Sequence, residues 1–233
     1  MRPCLLILWI SLVLTQVLAV SLSVNNSCNH TVLLFTQTSF GDIRNNIRLR
    51  AGDTQDMAIT PDWVGAINVG TRCRKCSGKC MTGGPSWNGE TPFSRAEFNW
   101  IPDSGKVFYD VSLIYGYNVG MEIRANTSTC HPFACTLPPG CPVPGPGGSC
   151  FSGCCSSPEA CADGALPSSG GGCPQNAFAG PHSSFFFTNC PNAYAFPTND
   201  GASGGQPANN VVSECDSTDV ILTLCPETTS NIP

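Results

Sequence analysis

The chain has 233 residues, only 12% of them charged, and a formal net charge of −5. Every Lys and Arg lies at or before Arg124, and beyond it the only charges are Glu159, Asp163, Asp200, Glu214, Asp216, Asp219 and Glu227; a purely acidic second half argues against a nucleic-acid partner. The length suffices to bury a core, yet 16 cysteines are present, a density that reads as a disulfide framework in an oxidising compartment.

Met1-Arg2-Pro3 opens an apolar run from Cys4 to Leu18. It is short for a span of roughly 20 residues, no basic stop-transfer flank follows, and Val17-Leu18-Ala19 suits a signal peptidase. Residues 1–19 are therefore expected to be a cleaved secretory signal, and 20–233 a secreted, extracellular protein without a membrane anchor. Loss of Cys4 leaves 15 cysteines, an odd number, so at least one thiol is free or pairs with another chain. Asn25-Asn26-Ser27, Asn29-His30-Thr31 and Asn126-Thr127-Ser128 are glycan acceptor sequons at Asn25, Asn29 and Asn126.

Short β-type runs come next. Residues 21–24 alternate, 31–36 are β-branched and apolar, and 55–60 and 66–69 follow at the spacing of a sandwich, with turns at Gly41-Asp42, Gly52-Asp53 and Pro61-Asp62. Cys73-Arg74-Lys75-Cys76-Ser77-Gly78-Lys79-Cys80 is a tight loop rich in cysteine and positive charge. Later strands are expected at 95–100, 107–111, 117–123 and 219–224; no helical stretch of any length is evident. Residues 130–190 hold nine cysteines among Pro, Gly and Ser, a composition that needs bridges to order it. The sandwich is thus expected from discontinuous pieces, 20–72, 91–129 and 190–233, beside a small cysteine loop, 73–90, and a cysteine-rich domain, 130–189.

Several motifs keep one order along the chain: Asn26-Ser27-Cys28 with Thr31-Val32, Cys80-Met81-Thr82-Gly83, Ala96-Glu97-Phe98, Phe108-Tyr109-Asp110-Val111-Ser112, Gly116-Tyr117-Asn118-Val119, Gly147-Gly148-Ser149-Cys150, Cys190-Pro191-Asn192-Ala193-Tyr194-Ala195-Phe196 and Cys225-Pro226. Together they resemble the thaumatin-like family (osmotin and class-five pathogenesis-related proteins) from residue 21 to 226. The resemblance implies a mostly β fold: a flattened antiparallel β-sandwich flanked by a large disulfide-rich loop domain and a small one. Carried over by order, it implies bridges Cys28–Cys225, Cys73–Cys80, Cys130–Cys215, Cys135–Cys190 and Cys141–Cys150. Adjacent Cys154 and Cys155 rarely bridge each other; Cys154–Cys161 with Cys155–Cys173 is the assignment adopted. Cys76 is left over as the free-thiol candidate and a point for a disulfide-linked dimer of an otherwise monomeric protein. Zinc on Cys73, Cys76 and Cys80 is the rival reading of the small loop.

The family's usual activity is antifungal, linked to an acidic cleft that binds or weakly hydrolyses β-1,3-glucan. Its cleft pattern is one Arg, one Glu and three Asp. Glu97 and Asp110 match the glutamate and first aspartate and are the catalytic candidates, with Glu97 as the acid. The second aspartate position is Tyr115, the arginine position falls at or near Ala66, and the third aspartate falls at Asn199 or Asp200. This depleted cleft favours glucan binding over hydrolysis, with Tyr115 offering an aromatic face for a sugar ring. Trp100 and Tyr117 are read as core residues. The alternatives are an endo-β-1,3-glucanase using Glu97 with Asp110 or Asp200, and an extracellular protein-interaction module with a vestigial cleft. No cofactor or resident metal is expected: the glycine-rich stretches at 145–148 and 169–172 do not join a strand to a helix, and His30, His131 and His182 are scattered.

Overall fold

A computed structural model describes residues 20–227 apart from 45, 76, 103, 164–172, 174–177 and 218. The expected signal segment and Cys76 lie outside the described residues. In chain order the strands are β1 (Ser21–Asn26), β2 (Val32–Phe40), β3 (Arg48–Leu49), β4 (Thr54–Met57), β5 (Val64–Thr71) and β6 (Arg95–Ile101). Then come β7 (Lys106–Ser112), β8 (Met121–Ala125), β9 (Phe133–Cys135), β10 (Ala193–Tyr194), β11 (Ser213–Asp216) and β12 (Asp219–Leu224). One sheet runs β4-β1-β12-β8-β9; the other runs β10-β7-β6-β5-β2-β3, with β11 also on β7. Most neighbours are antiparallel, but β1 lies parallel to β12 and β10 parallel to β7, so both sheets are mixed. The expected strand at 117–123 begins later, at Met121, because Gly116 with φ +95° and Gly120 keep the preceding residues in a turn.

Alternation along the strands builds the core. Leu22 and Val24 of β1, Val220, Leu222 and Leu224 of β12, and Met121 and Ile123 of β8 all point inward and are buried. They meet Val32, Leu34, Ile67, Val69, Ala96, Phe98, Trp100, Val107, Tyr109 and Val111 of the second sheet in one cluster. Trp63 packs its ring 5.8 Å from Trp100 and 5.9 Å from Phe98, while its Nε1 donates to Thr38 Oγ1. Trp100 is therefore core; Tyr117 is half-buried against the same cluster. Among the described residues α-helix is found in α1 (Pro158–Asp163) and α2 (Ser183–Asn189), the latter anchored by buried Phe186.

Disulfides join Cys28–Cys225, Cys73–Cys80, Cys130–Cys215, Cys135–Cys190 and Cys141–Cys150, the partners that the resemblance implies. The adjacent pair differs from the expected assignment: Cys154 bonds Cys173 and Cys155 bonds Cys161. Neighbouring side chains leave the backbone in different directions, and packing decides the choice. Cys155 belongs to a small satellite core with Val143, Phe151 and Cys161, whereas Cys154 and Cys173 face the main core. The Cys73–Cys80 bond occupies two of the three sulfurs that the zinc reading requires. This bridge sits directly on β5: a Cβ at Gly70 would come 2.5 Å from Cys80 Sγ and 2.7 Å from the Phe35 ring, so only glycine allows the approach.

Candidate functional site

The side of the second sheet turned away from the core carries the polar set. On β6, Ala96, Phe98 and Trp100 go into the core, so Arg95, Glu97 and Asn99 share the opposite face. On β7 the same alternation exposes Phe108 and Asp110 there. The register sets Arg95 against Ser112, Glu97 against Asp110 and Asn99 against Phe108. β10 then places Tyr194 beside Ser112. These side chains line an open cleft of about 540 Å³, walled by Ile114, Pro197 and Val212. That is the size of a small-ligand site.

Arg95 Nε lies 2.9 Å from Glu97 Oε1, with the arginine side chain 16% and the glutamate 36% exposed. On its other side the guanidinium sits 5.3 Å from the centroid of the Tyr115 ring, a cation–π distance. Tyr115 is itself stacked on Phe93, at 5.0 Å between centroids. Tyr115 thus has its face taken by Phe93 and Arg95, while the aromatic residues in the cleft lining are Phe98, Phe108 and Tyr194.

Asp110 is the strained member. Its Oδ1 is shut off from solvent without a hydrogen-bond partner. Burial pushes its carboxyl well above the usual carboxylate range, the charge of Glu97 and a hydrogen bond with Glu97 push it further, and Arg95 opposes the rise. The carboxyl whose surroundings favour its proton is therefore Asp110. Tyr194 Oη donates to Asp200 Oδ2 at 3.0 Å, and burial followed by the Asp200 charge raises the phenol, keeping its proton in place. Asp200 also accepts from the Ala202 N–H at 2.8 Å.

The ambiguity between Asn199 and Asp200 is resolved by their bonds. Asn199 is buried, accepting from the Ala195 N–H at 3.1 Å and donating to the Pro207 carbonyl at 2.8 Å. It shapes the loop; Asp200, exposed and tied to Tyr194, belongs to the cleft margin. Ala66, the position of the family's arginine, pairs directly with Glu97 on the same face but is fully buried. The segment after the small loop crosses here, with Gln37 Nε2 and Asn68 Nδ2 both donating to the Pro85 carbonyl. A cation is nonetheless present, supplied by Arg95 from two residues before Glu97. Of the sequon asparagines, Asn29 and Asn126 are exposed at turns, while Asn25 is half-buried in β1 and accepts a hydrogen bond from Thr54 Oγ1.

A sandwich of two mixed sheets bearing this cleft matches a known family. Residues 26–226 fit the model of the thaumatin family. The chain belongs to the thaumatin family. It is 31% identical to pathogenesis-related thaumatin-like protein 3.5 of Cryptomeria japonica, over 86% of this chain and 88% of that protein. It is 28% identical to thaumatin-like protein 1 of Arabidopsis thaliana, over 88% of this chain and 86% of that one. Among solved structures, a thaumatin-like xylanase inhibitor aligns with 88% of this chain and 99% of its own, at 16% identity and a TM-score of 0.48. Within this thaumatin-like protein the signals for Arg95 and Phe108 were present in the sequence: each lies two residues from a recognised acid, on the same strand face.

Proposed function

We propose that this thaumatin-like protein is a secreted defence or cell-wall-associated protein whose cleft binds neutral β-1,3-glucan without hydrolysing it. Membership of the family, and the pathogenesis-related name of a relative, support the defence context. The observation that carries the rest is the contact between Glu97 and Asp110. Glycoside hydrolysis needs carboxyl groups about 5–5.5 Å apart for retention or about 6.5–9.5 Å apart for inversion, flanking the scissile bond. Here the two acids sit side by side on adjacent strands of one sheet face, and burial together with the Glu97 charge raises the Asp110 carboxyl. Both belong to one wall of the cleft, which favours recognition over flanking a scissile bond.

Such a pair still suits recognition. Glu97, Asn99 and Tyr194 offer acceptors and donors for sugar hydroxyls, and Phe108 offers an aromatic face within the same cleft. The local charge is moderated by Arg95 and by the raised Asp110 carboxyl, which fits an uncharged ligand. Co-sedimentation with insoluble β-1,3-glucan, beside cellulose, tests the reading: retention on the glucan alone, reduced by Phe108→Ala, is expected. Absence of retention sinks it and turns attention to protein partners, including a second chain through Cys76.

One observation favours the hydrolytic alternative. A carboxyl raised by burial beside an ionised one is the pattern of a general acid and its partner. Against this stands one feature of the geometry: Asp110 Oδ1 is closed to solvent and so cannot itself reach a glycosidic oxygen.

A further inference from the structure

Outside the cleft, six cations are gathered in one place. Arg48 and Arg50 lie on and just after edge strand β3, while Arg72, Arg74, Lys75 and Lys79 belong to the cysteine loop; all six are exposed. β2 holds the two groups together, since Leu33 pairs with Arg48 on one side and Gly70 on the other, and Val32 pairs with Leu49 and Thr71. Arg48 bends over the loop, its Nη1 and Nη2 donating at 3.4 Å to the carbonyls of Cys73 and Arg74. The Cys73–Cys80 bond pinches the loop to a Cα separation of 3.8 Å, fixing its cations in place.

Among the described residues, the ion pairs involve Arg44, Arg95, Lys106 and Arg124 but none of these six. Like charges held rigidly together repel, and a purely structural cluster of this kind gains from interleaved acids. In a chain of net charge −5 with no cation after Arg124, six exposed cations without an ion pair among the described residues stand out as a basic patch.

We infer that this basic edge docks a linear acidic polysaccharide, a polymer of repeating carboxylates. Three arguments select that partner. The cations spread over a strand edge and a loop and are all exposed, so a single small anion meets few at once; a polymer with regular charges meets many. Four of the six are arginines, whose planar fork matches a carboxylate in two hydrogen bonds. Finally, a fold stapled by disulfides belongs outside the cell, whereas anionic lipid is concentrated on the cytoplasmic leaflet. The docking surface is separate from the cleft, so an acidic polymer can be held while the cleft takes a neutral glucan.

The test is affinity electrophoresis of the oxidised, full mature chain in gels containing polygalacturonate, with neutral β-1,3-glucan gels and anionic phospholipid vesicles as comparison arms. Retardation by polygalacturonate is expected at about 20 mM salt and its loss by about 0.5 M, where screening reaches only a few ångströms. The triple variant Arg74→Gln, Lys75→Gln, Lys79→Gln is expected to weaken retention by about tenfold or more, in keeping with the loss of several counterion-releasing contacts. A second triple, Arg48→Gln, Arg50→Gln, Arg72→Gln, should do the same while leaving Arg74, Lys75 and Lys79 in place. A charge-matched control, Arg44→Gln, Lys106→Gln, Arg124→Gln, should leave retention nearly unchanged. No retardation at low salt, an equal loss in the control, or tighter binding to the vesicles overturns the inference. Behaviour in the neutral-glucan gel reports on the cleft alone, so the two readings fail separately.

Discussion

Glu97 and Asp110 face each other across β6 and β7, and the charge of Glu97 adds to burial in raising the Asp110 carboxyl. Arg95 grips Glu97 from the same strand face, at 2.9 Å. One proton and one arginine therefore stabilise a pair of acids that would otherwise repel, and this arrangement dictates how the cleft responds to pH and to substitution.

Because the folded protein raises Asp110 above its unfolded value near 4, the native state binds the extra proton. Its contribution to stability is complete below that unfolded value and is lost as pH rises through the raised one. Asp110→Asn keeps a donor towards Glu97 and removes the titration. Thermal unfolding across the acid-to-neutral range should show a flatter pH profile for the variant, with a higher melting temperature at neutral pH. The scale is about 1.4 kcal/mol for each pH unit of the shift. A variant less stable than the parent at pH 7 contradicts this account of the pair.

Removing the cation has the opposite consequence. Arg95→Met should destabilise by about 1–3 kcal/mol, less than the loss of a fully buried partner because Glu97 is partly solvated. Glu97→Gln in the same background should recover part of that loss, a coupling of about 1 kcal/mol in a double-mutant cycle. Additive effects of the two substitutions mean that the 2.9 Å contact has no energetic weight.

Tyr115 acts through its ring, not its hydroxyl. Tyr115→Phe retains the stack on Phe93 and the face under Arg95, so stability and glucan retention should hardly change. Tyr115→Leu forfeits both and should lower stability by about 1–2 kcal/mol. If Tyr115→Phe alone abolishes retention, the phenol contacts ligand directly and the placement of Tyr115 outside the cleft is wrong.

The Cys28–Cys225 bridge closes a separation of 197 residues and ties β1 to the end of β12. In the loop-entropy account, replacing both cysteines by serine removes about 5 kcal/mol. Denaturant unfolding under non-reducing conditions measures it. Peptide mapping of the same oxidised protein should recover Cys154 linked to Cys173 and Cys155 linked to Cys161.

The β runs with clear alternation or β-branched content, β1, β2, β5, β6, β7 and β12, were legible because each carries its own burial period. β3, β9 and β10, two or three residues long, have no period to read and exist through tertiary pairing. The short helix α2 escaped notice for the same reason. At the cleft, motif order located Glu97 and Asp110. Arg95 required knowing that β6 presents alternate residues to one face, and Tyr194 required the parallel docking of β10 on β7, which no local pattern announces. For Tyr115, sequence gives its proximity to the acids but not its stacking on Phe93. The Cys154 and Cys155 choice depended on the satellite core around Phe151, a packing fact invisible in cysteine spacing.

The central claim is binding without hydrolysis, and one assay reads both. Wild-type protein and Glu97→Gln are incubated with β-1,3-glucan; bound protein and newly released reducing ends are followed together. The account predicts retention of the wild type, retention weakened several-fold in Glu97→Gln by loss of a charged acceptor, and no reducing ends from either. Reducing ends released by the wild type and abolished in Glu97→Gln would contradict it and make the Glu97–Asp110 pair catalytic.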